Sequence, residues 1–135
     1  MRIHQIIFAL ALLIHTVAFS LMLRGIEPFS TFFYIFAWWT YILFISSVNH
    51  LTSRNSLLFD NPREFVWVFL FSTPFWLFFE IYNFRLNNWH YVGIPFEYYL
   101  RWPGYVISFG TVLPSILETK TLLANKGVFT RLQGR

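Results

Sequence analysis

Cysteine is absent from the 135 residues, which excludes disulfides, thiolate nucleophiles, iron–sulfur ligation and thiolate zinc sites. Charge is scarce: 12% of residues are charged, about half the usual share of a soluble domain. No P-loop, GxGxxG, HExxH or GxSxG occurs, which argues against nucleotide cofactors and hydrolytic chemistry. No metal site is expected either. The net charge of +4 is modest, and its basic residues lie in short loops and the tail, a pattern of membrane topology rather than of nucleic-acid binding.

What is abundant is apolar and aromatic. Hydrophobic residues make up 56% of the chain, and a soluble protein this small would need more polar surface to cover itself. Lipid as solvent removes that need. There are 18 Phe, 7 Tyr and 6 Trp. Tyr and Trp suit the membrane–water interface, since each ring has an apolar body and a polar handle. So much Phe is expected to serve as lipid-facing bulk, with a surface for carotenoids, chlorins or quinones as the sharper reading.

The expected fold is all-α: a polytopic integral membrane protein, about four transmembrane helices in an up-and-down bundle, one domain spanning 1–135. Ile3–Leu23 and Phe29–Val48 are uncharged runs of 21 and 20 residues, each long enough to cross about 30 Å of hydrocarbon. The third helix is expected over 62–84, opened by Asn61 as N-cap, Pro62 in the first turn and Glu64 where a capping-box carboxylate stands. The fourth, over 102–123, is interrupted by Gly104, Gly110 and Pro114. An interfacial outer loop over 85–101 and a basic inner tail over 124–135 complete the chain. Although Ala18-Phe19-Ser20 loosely resembles a cleavage site, the first apolar run continues to Leu23 and is expected to stay as a span. Arg2, Arg54, Arg63, Lys120, Lys126, Arg131 and Arg135 fall on one side, against Arg24, Arg85 and Arg101 on the other. This asymmetry predicts a cell (inner) membrane protein with both termini cytoplasmic.

Ionisable groups inside a membrane are costly and are candidate sites by default. Glu80 lies 18 residues after Pro62, roughly 27 Å along a helix and so near its outer end, whereas Glu118 ends the next helix near the inner face. They are too far apart to work as one dyad. An outer cluster is expected from Glu80, Asn83, Arg85, His90 and Glu97. Its structural reading is an Arg–Glu pair at the interface; its functional reading is Glu80 as a proton donor or relay, with Asn83, His90 and Glu97 as helpers. An inner cluster is expected from His4, His50, Glu64 and Glu118. His4 and His50 end adjacent antiparallel helices, the minimum geometry for a bis-histidine haem. His15 lies mid-span, where a lone His is expected to hydrogen-bond a neighbouring helix, with chlorin or haem ligation as the alternative. A weak repeat joins Phe71-Ser72-Thr73…Glu80 to Phe109-Gly110-Thr111…Glu118 at identical spacing, and Phe29-Ser30-Thr31 opens the same way.

The stretch Pro74 to Tyr91, PFWLFFEIYNFRLNNWHY, resembles part of the lycopene cyclase domain of small membrane carotenoid cyclases. Trp76, Glu80, Trp89 and Tyr91 match its acidic helix end and Trp-x-Tyr-like element, and the resemblance extends over about 40 residues to Pro114. It implies an acid-initiated cyclase or isomerase acting on a polyene, with Glu80 as proton donor. The family's Pro-x-Glu-Glu element is missing; Ile94-Pro95-Phe96-Glu97 stands roughly in its place.

Small size and abundant Phe favour a non-catalytic membrane subunit or scaffold. Its expected partners are the lipid bilayer, other membrane subunits, pigments or a second copy. Gly104 and Ser108, at a small-xxx-small spacing, suit close helix contact. An isoprenoid-acting membrane enzyme is the alternative, and a haem- or quinone-binding electron-transfer subunit comes third.

Overall fold

A computed structural model describes residues 2–128; Arg131 and Arg135, on which part of the topology expectation rests, lie outside the described residues. The chain is all-helical there, with α1 at Arg2–Leu23, α2 at Phe33–Ser53, α3 at Pro62–Leu86, α4 at Tyr98–Phe109 and α5 at Val112–Asn125. Three helical stretches are long and apolar enough to cross a membrane: Arg2–Leu23, Pro62–Leu86, and α4 with α5 as one run, Tyr98–Asn125. The expected second span is a helix but is not among them. It starts and ends later than the uncharged run 29–48 and takes in Asn49, His50, Thr52 and Ser53, which dilute its apolarity.

The helix ends follow local chemistry. After α1, the Ile26 N–H bonds the Leu21 carbonyl and the Gly25 N–H bonds that of Met22, a Schellman close that places Gly25 at φ +66°, a conformation only glycine adopts without strain. Pro62 sits in the first turn of α3, as expected, but the Asn61 side chain makes no capping hydrogen bond. The last span begins at Tyr98, four residues before the expected 102, and Pro103 falls inside α4.

Between α4 and α5 the helix is broken by a side chain from α3. The Leu113 N–H, which would bond the Phe109 carbonyl in a continuous helix, instead donates to Ser72 Oγ at 3.0 Å, and Ser72 Oγ donates to that carbonyl at 2.5 Å. A hydroxyl inserted into the helix ladder bends it. Pro114, one residue on, has no N–H to restore the ladder. Gly110 lets the broken turn approach α3, since a Cβ there would strike the Phe69 ring. Ser72 and Phe109 belong to the two copies of the weak repeat, which therefore meet at the break.

α1 packs on α2, while the α4–α5 run packs against both α2 and α3. The interior is polar in character. Among the described residues the buried polar side chains, Ser46, Asn49, Ser72 and Glu118 among them, outnumber the buried apolar ones, while Phe71, Phe78, Phe84 and Trp67 face outward. This inverts a water-soluble fold and suits a surrounding solvent that cannot hydrogen-bond.

Candidate functional site

Two carboxylates organise two separate sites. At the end of α3 that the charge asymmetry assigns to the outer side, Glu80 Oε1 accepts hydrogen bonds from Tyr91 Oη at 2.5 Å and Trp89 Nε1 at 3.2 Å. Asn83, one turn along, holds the loop that carries these partners: its Oδ1 accepts the Asn88 and Trp89 N–H groups, and its Nδ2 donates to the Trp89 carbonyl at 2.7 Å. Trp76 Nε1 lies 3.4 Å from Tyr91 Oη. Burial and the hydrogen bond to Glu80 push the Tyr91 hydroxyl up to about 12, which keeps it a donor. The expected Arg–Glu pair does not form, because Glu80 is turned to Trp89 and Tyr91. Arg85, His90 and Glu97 are exposed, and His50–Asp60 is the one salt bridge among the described residues.

Tyr91 also borders a cavity of about 300 Å³. The outer loop covers it from Tyr91 to Pro95, α2 supplies Ile35 and Trp38, and α4 supplies Arg101, Gly104, Tyr105 and Ser108. These four α4 residues recur at helical spacing on one face. Tyr105 stacks on Phe109 with centroids 5.3 Å apart, and Tyr91 lies against both rings. Glu80 itself does not line the cavity; Trp76 and Tyr91 stand at its wall.

The inner site is a closed knot. Glu118 is fully buried. Its Oε1 accepts from Ser46 Oγ at 2.7 Å, Ser56 Oγ at 2.9 Å and the Leu58 N–H at 3.1 Å. Its Oε2 accepts from Asn49 Nδ2 at 2.5 Å, and the same amide reaches the Glu118 carbonyl at 2.9 Å. Four donors from α2 and the α2–α3 loop thus converge on one α5 carboxylate. Asn49 Oδ1 is left buried without a partner. Ser56 also links to Asp60, which accepts from its N–H at 2.8 Å and pairs with His50 Nδ1 at 2.8 Å.

The expected His4–His50 proximity is present, with ring centroids 3.7 Å apart, but the rings stack face to face. Asp60 engages His50 Nδ1 and Arg54 Nη1 lies 2.6 Å from Nε2, so neither nitrogen is open to an iron. This geometry does not fit a bis-histidine haem. Glu64 is exposed at the start of α3 and outside the knot. His15 Nδ1 lies 2.8 Å from Thr40 Oγ1 on α2, a neighbouring-helix hydrogen bond of the kind expected for a lone intramembrane histidine.

Sequence reasoning missed Ser46, Asn49 and Ser56 as the partners of Glu118, although Ser46 and Asn49 share a face at i,i+3. It also missed Arg101 as a cavity residue, for which spacing from Gly104 and Ser108 was the available signal. No family model, curated protein or solved structure matches the chain.

Proposed function

We propose that the chain is a small multi-pass membrane protein that binds a lipophilic ligand in its outer cavity, as a binding or scaffold subunit of a membrane assembly. The observation that carries this reading is the apolar, aromatic-walled cavity beneath the outer loop, at the low end of the usual volume range for ligand sites. α2 crosses alongside the three apolar runs, with its Thr40, Tyr41, Ser46 and Asn49 hydrogen-bonded to α1 and α5. Seven Lys and Arg against three favour cytoplasmic termini in a cell (inner) membrane.

Extraction from native membranes in mild detergent, with mass spectrometry of everything that co-purifies, tests the proposal. A stoichiometric lipophilic molecule is expected with the wild-type protein. It should be lost from Gly104→Leu, whose new side chain enters open cavity space. Identical co-purifying molecules from both proteins would sink the reading.

The hydrogen-bonded Glu80–Tyr91 pair favours a second reading in line with the lycopene cyclase resemblance. The carboxylic acid of Glu80 would protonate a polyene double bond, the aromatic faces would stabilise the cation, and a proton would return to the carboxylate as the isomerised product forms. The position of Glu80 behind Trp76 and Tyr91 ranks it second. Conversion of lycopene in lycopene-accumulating cells, lost in Glu80→Gln, would reverse that order.

A further inference from the structure

The cavity wall carries one cation. Arg101 is half-buried, on the α4 face that bears Gly104, Tyr105 and Ser108, and it has no carboxylate within ion-pair distance among the described residues. Three other polar side chains at the wall have partners, since Thr31 Oγ1 donates to Glu27, Tyr91 to Glu80, and Ser115 Oγ to the Val112 carbonyl. The neutral Tyr34, Trp38, Tyr105 and Ser108 leave Arg101 as the charged group there. A half-buried arginine beside an apolar void offers a planar guanidinium fork that matches a phosphate or carboxylate bidentately.

Depth supports the same conclusion. Arg101 lies one turn into the apolar Tyr98–Asn125 run, at the end where a spanning helix would meet the interface, while Val112 and Ile116 line the cavity farther along that run and Trp38 lines it from α2. A head held at Arg101 therefore leaves a tail pointing into the apolar part. At about 300 Å³ the cavity lies at the low end of the volumes that ligand sites occupy. That suits a short single chain rather than a whole two-chain lipid.

Resting on the ligand-binding reading above, we propose that this cavity takes a single-chain amphiphile with an anionic phosphate or carboxylate head, bound by Arg101, its tail lying over Gly104 and Tyr105 towards Trp38 and Ile116. The proposal departs from the carotenoid expectation, since a hydrocarbon polyene has no group to meet the guanidinium.

The test uses the full chain in phosphatidylcholine nanodiscs and follows tryptophan quenching by ω-brominated decyl phosphate, decanoate and decanol. Both anions are expected to bind at least tenfold more tightly than the alcohol, and the stronger of the two identifies the head. Arg101→Gln should bring them to the alcohol's level, while Arg101→Lys should recover part of the preference. A variant with unchanged helicity and size-exclusion profile is a valid comparison. Equal binding of all three probes, or an anion preference that survives Arg101→Gln, overturns the head assignment and leaves the cavity reading standing. Absence of saturable quenching by any probe overturns both.

Discussion

The two ends of the molecule use the same side chain in opposite ways. At the inner end, Glu118 has no accessible surface and gathers donors from α2 and from the loop that follows it. At the outer end, Glu80 is half-buried and takes two donors from a single loop, beside an open volume. In lipid, helices gain little by burying apolar surface against one another, so association depends on close packing and on polar groups satisfied between helices. Glu118 does this for α2 and α5. Glu80 positions only the loop that roofs the cavity, which leaves a volume open at that end.

The largest expected effect breaks the inner end. Glu118→Leu leaves two hydroxyls and a backbone N–H without their acceptor, while the Asn49 amide keeps only the backbone carbonyl of that residue, and each buried unsatisfied group costs about 1–3 kcal/mol. Relaxation recovers part, so a loss on the order of 4 kcal/mol is expected, read as a large fall in detergent melting temperature. Glu118→Gln should cost only about 1 kcal/mol. Its carbonyl can keep the three donors now on Oε1, and its amide can donate to the unpartnered Asn49 Oδ1 once that side chain turns over. Equal losses in the two variants would show that the negative charge, not the acceptor geometry, holds the knot.

A smaller effect is expected at the outer end. Glu80→Leu releases Tyr91 and Trp89, which are only partly buried and can turn to interfacial water. A cost of about 1–2 kcal/mol follows, measured by the same melt. A loss as large as that of Glu118→Leu would erase the distinction between a carboxylate that ties helices together and one that positions a loop.

The distinction was half legible in the sequence. Run lengths placed α1 and α3 closely, and depth along the helices assigned the two carboxylates to opposite ends. The inner histidines were brought together as depth suggested, yet depth says nothing of ring orientation, and stacking with Asp60 and Arg54 closes the site that ligation would need. The broken fourth span was foreshadowed by Gly110 and Pro114, but the decisive group, the Ser72 hydroxyl, comes from another helix and leaves no local signal. The cavity was illegible for the same reason. It exists only where α2, α4, α5 and the outer loop fail to fill the space between them, and periodicity along one helix does not report a gap among several.

The smallest effect sharpens the outer end through pH. Tyr91→Phe removes the donor to Glu80 and the acceptor for Trp76, at a cost of about 1 kcal/mol near neutrality. The raised hydroxyl sets the sign of its pH dependence. The folded protein holds the protonated form up to about 12, whereas an unfolded tyrosine titrates near its ordinary value of 10.0. The stability it contributes is therefore complete below about 10 and is lost as pH rises from there towards 12. In the wild-type protein, melting temperature should fall more steeply over that window than in Tyr91→Phe, and the two curves should converge at its alkaline end. Ultraviolet titration should show one tyrosine of the wild type ionising last, and that step should be missing from the variant. Parallel melting curves would mean that water reaches the Glu80–Tyr91 bond freely, and the wall between that carboxylate and the cavity would then be open.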